Sequence, residues 1–310
     1  VTPVPPVCLT GASGFIGQRV VERLRALGAK DVALLVRNAS RFTVHASQSN
    51  WRVVELDLAT GAIPPHAISA DAVVLHLAAA TGNSDPRTLQ RVNVDATARL
   101  VDAAHAADAK HIVFVSSIAA GYRDKRWAPY AESKLAAEHH VARAGIPHTI
   151  VRPTMVFGPG SPNQRALERL ATLVRPVLAG HGHVRVQPIH VDDLASALVQ
   201  LVMTPPPVTS PAPVTIGGPT VVTMRELFAA IRRARGLPPR DPVSLPLEAV
   251  RRTLAILGAA TASRLPVSAG QFVAFANDSV ADPQADGVHL PAARISLEAM
   301  LGSPAGDRPS

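Results

Sequence analysis

Cysteine is almost absent from this chain. The single thiol in 310 residues, Cys8, excludes an intrachain disulfide and any zinc site built from several cysteines. It sits in an apolar run and reads as a buried structural thiol. Aromatic residues are scarce as well, at 4%. The densest basic cluster, RRARGLPPR (232–240), has none interleaved, which argues against nucleic-acid binding. The net charge of +8, from 31 Lys and Arg against 23 Asp and Glu, suits an anionic cofactor or substrate equally well. Long apolar runs are missing: LASALVQLVM (194–203) and TLAILGAATA (253–262) fall well short of the roughly 20 residues that span a bilayer. The opening stretch, VTPVPPVCLTGASG, has no basic segment followed by an apolar one. A soluble, cytoplasmic protein with no membrane partner is the expectation. Repeats are absent, and the Pro-rich TPPPVTSPAP (204–213) is the one biased stretch.

What is present is an alternation. VCLT (7–10), VALLV (32–36), RVVEL (52–56), AVVLHL (72–77), HIVFVS (111–116) and HTIVR (148–152) read as buried strands, with helical segments between several of them. With 47% hydrophobic residues the chain can bury a large core. The pattern predicts an α/β fold, a Rossmann-type doubly wound parallel sheet, with a smaller interleaved C-terminal substrate lobe. The expected division is 1–153 for dinucleotide binding and 154–310 mainly for substrate, with some segments of the latter returning to the sheet. After Pro153 the pattern predicts a helix near Asp192, a strand around VTIGG (214–218), and a helix from Thr223 opened by the capping box TMRE. Further helices are expected around 246–259 and 295–301.

TGASGFIG (10–17) follows the first strand and opens an amphipathic helix, QRVVERLRALG. Gly11 and Gly14 permit a tight turn and close approach of backbone to a pyrophosphate, and Gly17 lets the helix pack on the strand. The second strand ends in VALLVRNAS. Arg37 therefore stands where an NAD-preferring site usually carries a carboxylate, and an Arg there can pair with a ribose 2′-phosphate. NADP is the favoured cofactor, with NAD possible and a plain surface role for Arg37 left open. Asp57, in LDLAT, could reach an adenine amino group or be a turn carboxylate.

In SSIAAGYRDKRWAPYAESK (116–134), Tyr130 and Lys134 are one helical turn apart and can face the same way. Ser117 ends the fifth strand, and strand alternation points Ser116 to the opposite face.

In order, TGASGFIG, DLAT, HLAAAT, VNVDAT, FVSSIAA, YAESK, RPTMVFGPG and PIHVDDLASAL resemble the extended or atypical short-chain dehydrogenases/reductases, in the NAD-dependent epimerase/dehydratase branch. The resemblance covers about 7–235. It implies an enzyme, an oxidoreductase or epimerase using NADP or NAD through Ser117, Tyr130 and Lys134. It implies that Gly11, Gly14, Phe15, Ile16 and Gly17 bind the pyrophosphate, that Asp57 and Leu58 bind adenine, and that Leu77, Ala78 and Ala79 line the cofactor cleft. Pro153, Thr154, Met155 and Val156 would lie near the nicotinamide. Asn93 would be structural, His76 a strand-end histidine, and a homodimer through the helices after the fourth and fifth strands is possible. Tyr130 would donate or accept the proton at the reacting oxygen, Lys134 would stabilise its phenolate and hold the nicotinamide ribose, and Ser117 would hydrogen-bond the oxygen as charge develops.

Twelve residues lie between Ser117 and Tyr130, fewer than sugar-nucleotide enzymes of this family usually carry, and the missing excursion shapes the substrate side. A nucleotide sugar or its 4-keto derivative is the leading substrate class. The alternatives are a non-sugar ketone or lipid-like substrate reduced by NADPH, and a non-catalytic NADP-binding protein. No metal is expected: HGH (181–183), His190 and Asp192 read as loop residues. Asn163, Gln164, Arg165, Arg185 and Gln187 fall where family members contact substrate, with a plain solvated-loop role left open.

Overall fold

The computed structural model describes residues 3–41, 50–81, 84–125, 128–206, 212–250, 252, 273–282 and 290–302. Strands β1 (Val7–Thr10), β2 (Asp31–Val36), β3 (Asn50–Glu55), β4 (Val73–His76), β5 (His111–Val115) and β6 (His148–Pro153) are the six apolar runs of the sequence, shifted at most two residues at an end. With β11 (Val214–Ile216) they form a seven-stranded sheet of order β11-β6-β5-β4-β1-β2-β3, and every pairing in it is parallel. A strand buried on both faces needs apolar residues at consecutive positions. That is why these runs are continuous rather than alternating.

Both faces are covered. Helices α1 (Phe15–Ala26) and α6 (Val191–Met203) bring Val20, Leu24, Leu194 and Leu198 against Val7 and Leu9 on one side. On the other, α3 (Ala96–Ala106) and α4 (Pro129–Ala142) set Leu100, Ala104, Ala137 and Val141 against Cys8, Ile112 and Phe114. Each Leu so buried contributes about 1.5–3 kcal/mol. Burial pushes the Cys8 thiol up to about 12, so it is an inert core residue.

A third core joins α5 (Pro162–Ala171), α7 (Met224–Ala234) and the short helix Leu297–Leu301 through Leu167, Leu227, Phe228 and Met300. The capping box at Thr223 and Glu226 is formed, and Ser296 caps the last helix. Of the helix expected at 246–259, residues 247–250 are helical and most of the remainder lies outside the described residues. Asp193, in the HVDD stretch, accepts the amides of Arg294 and Ile295, which ties the end of the chain to α6. Among the described residues, no helix is long and apolar enough to cross a membrane.

The strand order reverses direction between β1 and β4. At such a switch point the adjoining loops diverge and leave a crevice beyond the carboxyl ends of the strands. Thr10, His76 and Ser117 all stand at that edge.

Candidate active site

The turn after β1 is built for close backbone contact. Gly11 has φ +73, and a Cβ there would sit 2.7 Å from the Ala78 amide nitrogen. A Cβ on Gly17 would strike the Gly11 carbonyl. Gly14 is the N-cap of α1, with no side-chain cap and no acidic residue in the first turn. The first amides of α1 are thus not consumed by a side chain, and its positive end faces the crevice, the arrangement a pyrophosphate requires. Phe15 and Ile16 are partly buried beside it, while Leu77 and Ala78 are partly buried and Ala79 is exposed across the crevice.

Arg37 is exposed directly after β2. Asp57 is exposed, and its Oδ1 accepts the Ala59 amide at 2.9 Å while its carbonyl accepts from Thr60 and Gly61. It is a turn carboxylate with one oxygen left over. Leu58 is buried, and its carbonyl accepts from Arg99.

Ser117 follows β5 by two residues and caps the 3-10 turn Ile118–Gly121, its Oγ accepting the Ala119 amide at 3.2 Å. The Ser117 side chain lies close enough to the Tyr130 phenol to oppose the rise in its pKa. Ser116 Oγ is buried and has no hydrogen-bond partner among the described residues. Lys134 is buried, donates from Nζ to the Val115 carbonyl at 2.8 Å, and lies 4.2 Å from the centroid of the Phe114 ring. Burial pushes its ammonium down to about 7, with the Glu138 carboxylate opposing. Burial also raises the Tyr130 phenol above its ordinary value, and the neighbouring Ser117 side chain opposes it. In this structure Lys134 Nζ bonds β5, one helical turn beyond Tyr130 on α4.

The short link between Ser117 and Tyr130 is held by a segment far along the chain. Tyr122 donates to Ser279 Oγ at 3.1 Å, the Asp124 amide donates to Asn277 Oδ1 at 3.2 Å, and Asn277 Nδ2 returns a bond to the Asp124 carbonyl at 3.0 Å. Tyr122, Ala128, Ala131 and Val273 form a small apolar core there. Tyr122 stands near enough to Tyr130 to feel its charge, and burial pushes its own phenol up to about 12.

Pro153 ends β6, and Thr154 after it donates its amide to Ile216 and its hydroxyl to the Gln187 carbonyl. The Met155 carbonyl accepts from Ile189, and Val156 begins β7 (Val156–Phe157). Several residues expected to meet substrate are otherwise engaged. Arg185 pairs with Asp278 at 2.8 Å. The Gln187 amide bonds Gly218 and Ala281. Gln164 accepts the Gly158 amide and donates to Glu168. Asn163 and Arg165 are exposed on α5. His190 caps α6 by accepting the Asp192 amide, and among the described residues no cluster of three or more His, Cys, Asp or Glu could hold a metal.

Sequence reasoning missed Glu138, Arg152 and Tyr122. Glu138 follows Lys134 by one helical turn, which is the signal the chain carries for it. Nothing local marks Tyr122, whose partner is 157 residues away.

Three comparisons fit this geometry. A family model described as "NAD dependent epimerase/dehydratase family" matches residues 7–217. A ceramide reductase of Caulobacter vibrioides is 37% identical over 209 residues, a match that takes in 64% of this chain and 61% of that protein, less than two thirds of its length. A 3-diazoavenalumate denitrifying reductase of a Streptomyces species is 31% identical over 225 residues, 63% of this chain and 71% of that one. Among solved structures, MoeE5 in complex with UDP-glucose and NAD aligns over 96% of each chain with TM-score 0.70 and 25% identity.

Proposed function

Because the chain belongs to the NAD dependent epimerase/dehydratase family, we propose that it is an NAD(P)-dependent oxidoreductase that reduces a ketone to an alcohol through Ser117, Tyr130 and Lys134. The observation that carries the reading is that Ser117, Tyr130 and Lys134 gather beyond the carboxyl end of β5, with Lys134 Nζ bonded to the Val115 carbonyl and Ser117 beside the Tyr130 phenol, next to a glycine turn with no room for side chains. Gly11, Gly14, Phe15, Ile16 and Gly17 would hold the pyrophosphate, Asp57 and Leu58 the adenine, and Leu77, Ala78, Ala79 and Pro153 to Val156 the nicotinamide half. Arg37 would pair with a 2′-phosphate, which favours NADP.

A bound reduced dinucleotide supplies hydride to the carbonyl carbon. Tyr130, kept protonated by its burial, donates its phenolic proton to the carbonyl oxygen as negative charge grows there. Ser117 donates a hydrogen bond to the same oxygen. Lys134 would hold the ribose and stabilise the phenolate left behind.

For substrate, a ketone carried on an apolar frame is favoured. The wall between Ser117 and Tyr130 is short and lined by Ile118, Ala119, Tyr122 and Ala128, and of the polar side chains expected to read a sugar, Gln164, Arg185 and Gln187 are engaged in internal bonds. The likeness to a ceramide reductase supports the same choice. The second reading, epimerisation of a nucleotide sugar, is favoured by the likeness to MoeE5 in complex with UDP-glucose and NAD. Residues 1–153 would carry the cofactor and 154–310 most of the substrate site. A homodimer would use the outer faces of α3 and α4.

Oxidation of NADPH and NADH would be followed against a panel of long-chain ketones and UDP-sugars. Turnover of a ketone that disappears in Tyr130→Phe, with dinucleotide binding intact, is the expected result. Turnover undiminished in that variant would overturn the assignment.

A further inference from the structure

The crevice is spanned by a continuous run of hydrogen bonds with a buried imidazole at its centre. Thr10 and His76 are register partners at the carboxyl ends of β1 and β4, and Thr10 Oγ lies 2.6 Å from His76 Nδ1. His76 Nε2 lies 2.9 Å from Thr97 Oγ. The Thr97 hydroxyl has one proton and spends it on the Asn93 carbonyl at 2.7 Å. Nε2 must therefore carry the hydrogen, which leaves Nδ1 to accept from Thr10. Thr10 Oγ in turn accepts the Ala78 amide at 3.2 Å. Every donor and acceptor in the run is satisfied by one tautomer of the neutral ring.

The run reaches both halves of the site. At one end, Thr10 precedes Gly11, and Ala78 is the residue whose amide leaves Gly11 no room for a Cβ. At the other, Asn93 clamps Ala80, accepting its amide at 2.7 Å and donating to its carbonyl at 3.2 Å. It also donates to Ser133 Oγ at 2.9 Å, and Ser133 donates to the Tyr130 carbonyl at 2.8 Å. The Phe114 ring stands close to both His76, at 5.4 Å between centroids, and the Lys134 ammonium. Polar chains that are fully satisfied inside a protein hold their members in one arrangement, and a half-satisfied chain is costly.

We propose that His76 is a positioning residue which, as the neutral Nε2–H imidazole, locks the dinucleotide-binding turn and the helix bearing Tyr130 and Lys134 into one register. The proposal rests on the oxidoreductase reading for what the register serves, and on the bonds themselves for its existence. His76 touches no reacting atom. Its effect passes through Thr10 to the cofactor cradle and through Thr97, Asn93 and Ser133 to Tyr130.

Nitrogen-15 NMR of wild-type protein labelled at histidine reads the tautomer directly, and a buried Nε2–H ring is expected. An Nδ1–H ring would overturn the proposal. In parallel, NADPH affinity by fluorescence, turnover and melting temperature are measured for His76→Phe, Thr97→Val and Thr97→Ser. Dinucleotide binding weakened about tenfold or more in Thr97→Val, restored in Thr97→Ser and accompanied by lower kcat, is the expected pattern, with His76→Phe at least as affected where it folds. A lower melting temperature with unchanged affinity and kcat in Thr97→Val would make the run merely structural. A wild-type chain that binds no dinucleotide would sink the oxidoreductase reading instead, and the NMR result would still judge the relay.

Discussion

Arg152 grips the Glu138 carboxylate with two bonds, Nε to Oε1 at 2.9 Å and Nη2 to Oε2 at 2.6 Å, one helical turn beyond Lys134. The pair is buried, with side-chain exposures of 18% and 4%, and it staples α4 to β6 beneath the site. Removing one partner of such a pair strands the other charge, at a cost of about 3–5 kcal/mol. Glu138→Gln should lose that much in denaturant unfolding, and, with the opposing carboxylate gone, should lower the Lys134 pKa further below its place near 7. A loss under about 1 kcal/mol would show that the pair behaves as a surface one.

Glycines in this fold differ in what they tolerate. Gly11→Ala and Gly17→Ala should each abolish dinucleotide binding, because a Cβ at either position meets backbone atoms that cannot retreat. Gly28 also has positive φ, +68, but no atom lies within 4 Å of a Cβ there. Gly28→Ala should cost about 1–2 kcal/mol of left-handed strain and leave binding intact. Equal effects at all three sites, read by calorimetric titration with NADPH, would remove the pyrophosphate from this turn.

Arg37 decides the proposed cofactor preference. Arg37→Asp replaces a phosphate partner with a carboxylate suited to a ribose 2′-hydroxyl. It should raise KM for NADPH about tenfold or more and lower that for NADH. Unchanged selectivity would return Arg37 to an ordinary surface role.

Acid should unfold the protein through its buried histidines. Burial, assisted by His148 and Lys110, pushes the His111 ring down to about 4, and burial with Lys134 pushes His76 down to about 3. A ring held neutral in the folded chain binds fewer protons than it does unfolded. Its contribution to stability is therefore complete above about pH 6.5 and is lost progressively as pH falls toward the folded values, at about 1.4 kcal/mol per pH unit for each ring. His111→Gln should flatten the fall in unfolding free energy between pH 6.5 and 4. An equally steep fall in that variant would assign the acid sensitivity to other groups.

The strap from Val273 to Ser279 should govern substrate rather than cofactor. Tyr122→Phe deletes the bond to Ser279 at a cost of about 1 kcal/mol and loosens the wall beside Tyr130. KM for the ketone should rise several-fold with dinucleotide affinity unchanged. A rise in both would mean that the strap supports the whole site.

The sheet was legible because its strands are buried on both faces, which forces uninterrupted runs such as VVLH and HIVFV that no solvated segment needs. TGASGFIG was legible for a related reason: a turn that admits no Cβ can only be written in glycine. The capping box at Thr223 is a contact between residues three apart, so spacing alone revealed it. Ser117 and Tyr130 showed themselves through strand alternation and helical pitch, both local rules. For Gln187 and Arg185 the two readings stayed level, because a polar residue before a motif looks alike whether it meets a ligand or pairs with Gly218 or Asp278.

By itself the sequence determined the alternation of strands and helices, the glycine turn and the serine, tyrosine and lysine on neighbouring elements, since each follows from burial or backbone geometry within a few residues. Only the tertiary structure decided the rest. It turned Lys134 toward the Val115 carbonyl, placed the His76 ring between Thr10 and Thr97, and closed the short link before Tyr130 with Tyr122 and Ser279. Those bonds join residues up to 157 positions apart. Their partners are chosen by which loops the strand order brings to one edge of the sheet, and no local pattern encodes that choice.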